Sequence, residues 1–312
     1  MAMPQSSTLL RLGTRASRLA RVQAEMVARA LREKAGAECE IVPLKTSGDR
    51  ILDRSLADAG GKGLFTKELE DALLKGEIDL AVHSMKDVPT ALPEGLIIAA
   101  LPAREDPSEV LIARAARTLA DLPGGARVGT SSVRRKAQLL RARPDVQCAV
   151  LRGNVDTRLA KLDAGAFDAI ILALAGLKRL GLEDRVTAIL PPDEWLPSLG
   201  QGAVGIEIRA ADRRAASAVA ALDEEATAVA LACERAFQAA LDGTCRSPIA
   251  GLARIEGGYL SFRGEVIAPD GSDGAQTQLR ILLSSMPRQD AANAGRQAGE
   301  ALRPRAARWL AG

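Results

Sequence analysis

Strand-like and helix-like segments alternate along the first two thirds of the chain, and this alternation limits the folds open to it. Residues 9–13 are apolar enough for a strand, and residues 17–34 carry apolar side chains at helical spacing. The alternation restarts after the proline-bounded stretch 102–107 and includes a strongly apolar segment at 167–173. Such units are typical of parallel sheets whose strands are joined by crossover helices, so the sequence predicts an α/β fold.

The size of the chain predicts more than one domain, and its composition predicts how their cores are filled. Its 312 residues exceed the usual length of a single domain, which predicts two or three domains. Aromatic residues make up only 2% of the chain, although 47% of it is hydrophobic. Leucine, isoleucine, valine and alanine must therefore fill the core, which suits helices packed on sheets.

The last third of the chain has a different pattern. Residues 212–241 are rich in alanine and predict helical structure. Residues 249–267, with Gly257-Gly258 near their centre, predict a β-hairpin, and residues 288–310 predict a closing helix. This part of the chain is expected to form a small α+β domain.

The charge of the chain is nearly balanced, with 42 basic and 39 acidic residues and a net charge of +3. This balance gives no general attraction to nucleic acid, and seven aromatic residues offer little surface for stacking bases. A nucleic-acid-binding protein that uses its arginine clusters is therefore a weak alternative.

The terminal and cysteine patterns bear on location and metal binding. The short polar N-terminus and the lack of a long apolar run predict neither a signal peptide nor a membrane span. Four cysteines without a CxxC pair, and His83 as the single histidine, predict neither a disulfide scaffold nor a zinc site. A cytoplasmic protein without a metal is the expectation.

Two turns that join a strand to a helix resemble each other in sequence. Residues 13–18 contain Arg15 and Ser17, and residues 129–135 contain three consecutive hydroxyl residues followed by two arginines. Hydroxyl side chains cap helix starts, and the free N–H groups there can bind an anion. Each turn alone could be an ordinary N-cap, but one in each predicted domain favours an anion bound in a cleft between the two domains.

Further arginines fall at predicted strand ends or helix starts, namely Arg152, Arg158 and Arg179. Guanidinium groups pair bidentately with carboxylates and phosphates and stay charged. Any one of them could simply be solvated, yet as a set they suit a substrate with several carboxylate or phosphate groups.

The stretch from His83 to Asp87 follows a predicted buried strand. Open α/β sheets bind ligands at the carboxyl ends of their strands, so Asp87 is a candidate acid/base or cation-stabilising group. The alternative is a surface turn in which Asp87 pairs with Lys86.

One cysteine differs from the other three. Cys39, Cys148 and Cys233 lie among apolar residues and are expected in the core, whereas Cys245 lies in the turn-forming stretch 242–248. Because the next residue, Arg246, would favour the thiolate, Cys245 is either a nucleophile or attachment point, or an ordinary loop cysteine.

Seven short stretches together carry a resemblance to a known family. They are Gly13-Thr14-Arg15-Ala16-Ser17, Gly60-Gly61-Lys62-Gly63-Leu64-Phe65, Ala81-Val82-His83-Ser84-Met85-Lys86-Asp87-Val88-Pro89, Gly129-Thr130-Ser131-Ser132-Val133-Arg134-Arg135, Leu151-Arg152-Gly153-Asn154-Val155, Leu174-Ala175-Gly176-Leu177-Lys178-Arg179-Leu180-Gly181 and Gly200-Gln201-Gly202-Ala203. In their order and spacing, they resemble the porphobilinogen deaminase family from about residue 9 to Cys245, and the chain resembles it more loosely beyond Cys245. Any one of the stretches is moderately specific, and all of them in order are highly specific.

The resemblance implies an α/β fold with two domains of the periplasmic-binding-protein kind that face each other across a cleft, plus a small C-terminal α+β domain. Domain 1 would span residues 1–103 and 203–220, domain 2 residues 104–202, and domain 3 residues 221–312. The third domain would carry the cofactor cysteine. The family also suggests a monomer that binds a small molecule.

The resemblance further implies an activity. The enzyme would be a transferase, a hydroxymethylbilane synthase of tetrapyrrole and heme biosynthesis. Its cofactor would be a dipyrromethane attached through Cys245, and four porphobilinogens would be added in turn, each losing ammonia. Hydrolysis would then release hydroxymethylbilane.

The family's functional residues map onto this sequence position by position. Asp87 would be the catalytic residue, because its carboxylate can accept pyrrole N–H bonds and stabilise positive charge on the pyrrole nitrogens. The cofactor would be bound by Cys245, Lys86, Thr130, Ser131, Ser132, Arg134, Arg135 and Arg158. The substrate would be bound by Arg15, Ser17, Arg152, Arg179, Gln201 and Lys62.

One departure from the family concerns a predicted lid within the glycine-rich residues 46–63. Some members carry a lysine four residues before the position of Lys62, where this chain has Asp58. The departure affects only the share of the lid in carboxylate binding. The main alternative to an enzyme is a non-enzymatic, periplasmic-binding-protein-like module for anions, which would need neither Cys245 nor Asp87.

Overall fold

The computed structural model describes residues 9–50, 63–243 and 247–310, with the backbone alone at residues 49 and 50. The described part of the chain forms two five-stranded sheets and one three-stranded sheet. Two residues with predicted roles, Lys62 in the lid and Cys245 as the cofactor cysteine, lie outside the described residues, as does Asp58.

The first sheet has the order β2-β1-β3-β10-β4. Its strands are β1 (Leu9–Arg15), β2 (Glu38–Leu44), β3 (Leu80–Ser84), β4 (Leu96–Ala100) and β10 (Val204–Arg209). The helices that belong with it are α1 (Arg18–Ala35), the short α2 (Ser47–Arg50), α3 (Lys67–Leu74) and α7 (Arg213–Ala220). The predicted strand and helix at the start of the chain are confirmed within two residues.

The second sheet has the order β7-β6-β8-β5-β9. Its strands are β5 (Glu109–Ala113), β6 (Arg127–Gly129), β7 (Gln147–Ala149), β8 (Ala169–Ala173) and β9 (Ala188–Leu190). Its helices are α4 (Val133–Ala142), α5 (Val155–Asp163) and α6 (Leu174–Leu180). The strand β9 and the helix α6 were not predicted, because both are short and lack a periodic pattern of their own.

The two five-stranded sheets repeat one topology. In each, a first strand lies parallel to the second and third strands (β1 with β2 and β3, β6 with β7 and β8). In the first sheet, β10 then pairs antiparallel with β3 and with the edge strand β4. In the second sheet, β5 pairs in the same way with β8 and with the edge strand β9. The two turns that resemble each other in sequence therefore follow equivalent strands, β1 and β6.

The prediction of parallel sheets is wrong in one respect, since both sheets are mixed. The alternating pattern does not show in which direction β5 and β10 run. Each of these strands begins beside the carboxyl end of its neighbour and therefore runs antiparallel to it. Val204, the first residue of β10, pairs with Ser84 at the end of β3. Glu109, the first residue of β5, pairs with Ala173 at the end of β8.

The C-terminal residues form a smaller α+β layer. The strands β11 (Ile249–Glu256), β12 (Tyr259–Ile267) and β13 (Gly274–Leu282) make an antiparallel sheet, which packs with α8 (Glu225–Ala240) and α9 (Pro287–Leu310). The predicted hairpin is confirmed, and both residues of its Gly257-Gly258 turn have positive φ, 58° and 80°. The third strand, β13, was not predicted.

Residues 212–241 form two helices rather than one. Asp223 and Glu224 interrupt the helical stretch, because their side chains accept from backbone N–H groups, Asp223 from one outside this stretch and Glu224 from two at the start of the second helix. The Asp223 carboxylate accepts from the Leu101 N–H at 2.8 Å, and Glu224 accepts from the N–H groups of Ala226 and Thr227 at the start of α8.

The described residues divide into two compact units. Unit 1 comprises residues 9–50, 63–104 and 203–227, and unit 2 comprises residues 105–202 and 228–310. Unit 2 thus contains both the second five-stranded sheet and the C-terminal layer. The predicted fold class, two α/β domains with a small α+β domain, is confirmed, while the predicted boundaries of three domains stay a prediction.

Among the described helices, none is long and apolar enough to cross a membrane.

Candidate active site

In unit 1, the sheet topology brings Arg15 and Asp87 to one edge. Arg15 ends β1, and Asp87 ends the 3-10 turn Met85–Asp87 that follows the neighbouring parallel strand β3. The Arg15 Nη1 lies 3.9 Å from the Asp87 Oδ2, and the Arg15 guanidinium carbon lies 4.1 Å from the centre of the Phe65 ring. Because the side chains of Arg15 and Asp87 are 23% and 32% exposed, both can also bind a solute.

The turn that carries Asp87 is held on both sides. The Ser84 hydroxyl and the Gln23 side-chain amide of α1 are within hydrogen-bond distance, at 3.0 and 3.2 Å. The Met85 N–H donates to the carbonyl of Ala203, just before β10, at 3.0 Å. Lys86, between these anchors and Asp87, is half-buried. Gln23 was missed by the sequence analysis, since nothing in the spacing connects it with residue 84.

Ser17 acts as a helix cap. Its hydroxyl accepts from the Ala20 N–H of α1 at 3.4 Å, which is the ordinary role that its position also allowed. Binding of substrate by Ser17 stays a prediction.

The single histidine lies below this edge, inside the sheet. The Nε2 of His83 is 2.9 Å from Oε2 of Glu207 on β10, and both side chains are buried. Burial raises the pKa of the neighbouring Glu70 on α3. Within the described part of the chain, no group of histidine, cysteine and acidic side chains could hold a metal ion.

In unit 2, the hydroxyl residues form the equivalent turn after β6. Thr130 is buried, and its hydroxyl accepts from the Ser132 N–H at 3.2 Å. The Ser131 hydroxyl donates to the Leu151 carbonyl, which ties this turn to the segment after β7. Ser132 is the N-cap of α4 and accepts from the Arg135 N–H at 3.3 Å. The structure thus brings the three hydroxyl residues to the strand end where the sequence predicts an anion site.

Arg134 and Arg135 have a different first partner from the one that the sequence predicts. Both guanidinium groups are buried and pair with Glu109, the first residue of β5, whose side chain is fully buried. Arg135 bonds the two Glu109 oxygens at 3.0 and 2.7 Å, and burial lowers the pKa of Arg134. Their binding of cofactor carboxylates stays a prediction, and it requires a cofactor carboxylate to compete with Glu109 or to add to it.

The segment after β7 carries Arg152 and leads into α5. The Arg152 Nε is buried and has no hydrogen-bond partner within the described part of the chain. The Arg158 Nε, one turn into α5, donates to the Gly153 carbonyl at 2.8 Å. Arg152 therefore lies next to the hydroxyl turn, because Leu151 is bonded to Thr130 and Ser131.

Arg179 and Gln201 lie where the chain enters and leaves unit 2. The Arg179 Nη2 donates to the Gly202 carbonyl at 2.6 Å, while its buried Nε has no partner among the residues that the structure describes. Burial lowers the pKa of this guanidinium. The Gln201 amide donates to the carbonyl of Pro107, just before β5, at 2.7 Å. This segment belongs to the same sheet edge as the hydroxyl turn, because β5 starts where β8 ends.

The three described cysteines are structural and free. Cys39 and Cys148 lie on edge strands, where burial raises the pKa of each thiol, to about 11 for Cys39. Cys233 is fully buried in α8, and burial raises its pKa further. The predicted core position is confirmed for Cys233, whereas Cys39 and Cys148 are half-buried and pack against the cores of their sheets. None of these thiols is a good nucleophile at neutral pH.

These features fit a dipyrromethane, which carries several carboxylates. Among the described residues, the buried Nε atoms of Arg152 and Arg179 have no hydrogen-bond partner, and a buried donor without a partner costs roughly 1–3 kcal/mol. A carboxylate that drew either guanidinium group into a bidentate pair would remove that cost. The hydroxyls of Thr130 and Ser132 act as acceptors in the contacts above, so each can still donate its O–H to a carboxylate.

Comparison with known proteins agrees with this chemistry. Residues 10–217 match the family model of the porphobilinogen deaminase dipyromethane cofactor binding domain, and residues 228–303 match that of the porphobilinogen deaminase C-terminal domain. The porphobilinogen deaminase of Nitrobacter hamburgensis is 50% identical over 97% of this chain and 95% of its own. That of Moorella thermoacetica is 53% identical over 96% of this chain and 94% of its own.

Solved structures similar to this chain include a periplasmic substrate-binding protein of an ABC transporter from Coxiella burnetii. It is 14% identical over 70% of this chain and 93% of its own, with a TM-score of 0.45. A nutrient binding protein from Burkholderia cenocepacia bound to methionine is 15% identical over 68% of this chain and 91% of its own, with a TM-score of 0.43. The family models together match most of the chain, and two relatives share half of its residues over nearly their whole length, so the chain belongs to the porphobilinogen deaminase family.

Proposed function

We propose that this chain is a hydroxymethylbilane synthase that joins four porphobilinogens head to tail on a dipyrromethane primer bound to Cys245. Each addition releases ammonia, and hydrolysis releases hydroxymethylbilane. The observation that carries the proposal is the placement of Asp87 beside Arg15 at a strand end, in a chain of this family. A carboxylate and a guanidinium at a partly exposed edge can bind both the N–H group and the acidic side chains of a pyrrole.

Asp87 is the proposed catalytic residue. Its carboxylate can accept hydrogen bonds from pyrrole N–H groups and stabilise the positive charge that develops on the ring as ammonia leaves. The bonds to Ser84 and Met85 fix the turn, so the carboxylate is held in place before the charge develops. Such preorganisation is the usual source of electrostatic catalysis.

The cationic and amide side chains bind the acetate and propionate groups of the substrate. Arg152 and Arg179 are the strongest candidates, because each has a buried Nε to which no described residue is bonded. The proposed substrate-binding residues are Arg15, Ser17, Lys62, Arg152, Arg179 and Gln201.

The cofactor residues form a second proposed set. When bound, the dipyrromethane supplies the pyrrole end to which the first porphobilinogen is added. The hydroxyl turn and the arginines that follow it hold the carboxylates of this group and orient it, and Cys245 attaches it. The proposed cofactor-binding residues are Lys86, Thr130, Ser131, Ser132, Arg134, Arg135, Arg158 and Cys245.

The surroundings in which the protein works are also proposals. A reducing cytoplasm suits the three free thiols of Cys39, Cys148 and Cys233. The balanced charge suits a small-molecule substrate rather than nucleic acid, and the family suggests a monomer.

The intact mass of the denatured protein tests the proposal. We expect a covalent addition of two pyrrole units on the wild-type chain and none on Cys245→Ser. A matched control is Cys148→Ser, which removes a thiol of raised pKa and should keep the addition. Wild-type protein that gains no mass even after incubation with porphobilinogen would overturn the proposal.

A further inference from the structure

The helix α4 links the hydroxyl turn to the C-terminal layer. Ser132 caps its first turn, and the side chains of Gln138 and Arg141 lie near its other end. Both contact Glu265 on β12: Arg141 Nη1 and Nη2 bond the two carboxylate oxygens at 2.9 and 3.1 Å, and Gln138 Nε2 lies 3.4 Å from Oε1. The Gln138 Oε1 in turn accepts from Arg134 Nη1 at 2.8 Å. Side-chain hydrogen bonds therefore run from the first turn of α4 to the C-terminal sheet.

Glu265, which joins the C-terminal sheet to α4, is a charged residue that is only 2% exposed. Besides Arg141 and Gln138, it accepts from the Gln276 amide of β13 at 3.2 Å. A buried ion pair rarely adds more stability than a well-packed apolar pair of the same volume, but it tolerates only one geometry. This contact therefore defines the orientation of the layer more than its stability.

The strand that carries Glu265 also holds the chain next to the cofactor cysteine. Glu265 is paired directly with Ala250 on β11. Two residues further along β12, the Ile267 N–H donates to the carbonyl of Pro248, three residues after Cys245, at 3.1 Å. Any shift of β12 relative to α4 would move the end of the cysteine segment with it.

A second contact between α4 and the C-terminal layer is made by backbone. Gly271, in the turn between β12 and β13, has a φ of 77°. A Cβ at this position would lie 2.4 Å from the Arg141 nitrogen and 2.6 Å from the Ala137 oxygen, and both atoms belong to the α4 backbone. The turn can approach α4 this closely only with glycine.

We infer that Glu265, Arg141 and Gly271 are positioning residues that fix the C-terminal layer on α4 in the register needed to assemble the cofactor. The inference rests on the proposed function. The hydroxyl turn at the start of α4 binds the cofactor carboxylates, and the C-terminal layer carries the cysteine. Because one rigid helix joins the hydroxyl turn to the C-terminal layer, their relative position is fixed before the cofactor binds. A misplacement of about 1 Å can lower a reaction rate roughly 100-fold.

The first test compares two glycine variants with the same backbone strain. Gly271→Ala would push the turn off α4, whereas Gly258→Ala places alanine at a φ of 80° with no atom within 4 Å of its Cβ. Both variants and the wild type are made in cells that lack porphobilinogen, and the mass gain is then followed after porphobilinogen is added. We expect Gly271→Ala to acquire the two-pyrrole mass at least about tenfold more slowly and Gly258→Ala at the wild-type rate.

The second test removes the buried charge without changing its size. Glu265→Gln should slow loading at least about tenfold, while Asp273→Asn, which breaks the exposed ion pair with Arg308, should not. Because this comparison needs no new Cβ, it applies even if Gly271→Ala does not fold. Loading of folded Gly271→Ala or Glu265→Gln at the wild-type rate would overturn the inference and leave the proposed function intact. If the wild-type chain acquires no mass, the proposed function fails and the inference fails with it.

Discussion

Asp87 has a carboxylate whose loss should affect the reaction more than the fold. Its side chain is about one third exposed and its ion pair with Arg15 is long at 3.9 Å, so Asp87→Asn removes little stabilising energy. The amide keeps the shape but cannot stabilise positive charge. We expect kcat to fall by roughly 100- to 1,000-fold, the range measured when one electrostatic stabiliser is removed from an active site.

Hydroxymethylbilane formation and the circular dichroism spectrum check this prediction together. Asp71→Asn, which removes an exposed carboxylate from α3 in the same unit, is the matched control and should keep its activity. Near-normal turnover by folded Asp87→Asn would rule out the catalytic role.

Asp79 contributes to stability at the amino end of β3, the end of the strand opposite to the one that carries Asp87. Burial opposes its ionisation, but the side chain and backbone N–H of Arg11, at 2.9–3.1 Å, outweigh this effect and lower the pKa of Asp79 to about 2. A carboxyl whose pKa is lower in the folded chain stabilises the fold above its unfolded pKa near 3.8, and this contribution is lost as the pH falls to about 2.

The prediction for Asp79→Asn follows from that sign. At pH 7 we expect the free energy of unfolding to fall by about 2 kcal/mol, because folding lowers the pKa of Asp79 from 3.8 to about 2. Between pH 4 and pH 2 the difference from the wild type should shrink. Urea titrations across this pH range measure it, and a difference that stays constant down to pH 2 would contradict the assigned ion pair.

At the scale of elements, the packing of α9 on α8 depends on small residues. A Cβ on Gly295 would lie 2.1 Å from the Cys233 carbonyl oxygen, so the backbones of the two helices are in contact at this point. Phe237, one turn further along α8, packs edge-to-face on Phe262 of β12 with ring centres 4.9 Å apart. This contact holds α8 on the C-terminal sheet, so α8 resists movement away from an added methyl group.

Helix propensity and packing predict opposite signs for Gly295→Ala. Propensity alone favours alanine by about 1 kcal/mol, whereas overpacking costs about 1–3 kcal/mol and here acts on backbone atoms. We expect a net loss of stability, seen as a lower denaturant midpoint. Arg296→Ala, the next and exposed position of α9, should change the midpoint little, and a higher midpoint for Gly295→Ala would show that α9 can shift.

The two five-stranded sheets share a pair of hydrogen bonds between an aspartate and an arginine near the amino ends of their parallel strands. In unit 1, Asp79 exchanges backbone and side-chain bonds with Arg11 at the start of the sheet. In unit 2, the N–H of Asp168 donates to the Arg127 carbonyl at 2.9 Å, and its carboxylate accepts from the Arg127 N–H at 2.7 Å. The aspartate precedes β3 or β8 and fixes the first pairing with β1 or β6, so the same register recurs in both sheets.

At the scale of the whole molecule, the small net charge of +3 means that attraction of an acidic substrate is local rather than long-range. We therefore expect kcat/KM for the wild type to fall less than about tenfold between 50 mM and 500 mM salt, below the range of strongly steered enzymes. Arg152→Leu should have a lower kcat/KM and a weaker salt dependence, because one local carboxylate partner is gone.

The salt series has a natural control in Arg296→Ala, which removes one exposed positive charge on α9, a helix that carries none of the proposed site residues. It should leave both the value and the salt dependence of kcat/KM nearly unchanged. Equal effects of Arg152→Leu and Arg296→Ala would mean that Arg152 contributes only to the overall charge.

The sequence by itself determined the features that depend on local order along the chain. Periodicity predicted most strands and helices, including β1, α1 and α5, because side-chain spacing reflects the local backbone. The positions of Arg15, Asp87 and the hydroxyl turn relative to strand ends were also predictable, since the ends of parallel strands meet at one edge. The motifs in their order predicted the family, which the comparisons confirm.

Only the tertiary structure decided which side chains are partners. Glu109 binds Arg134 across 25 residues and Glu265 binds Arg141 across 124, and no spacing rule connects such pairs. The antiparallel direction of β5 and β10 has the same cause, because each strand takes its direction from where the chain enters the sheet. Burial then fixes these choices: a charged group inside the protein must find a partner among the groups that folding brings to it, however far apart they lie in the sequence.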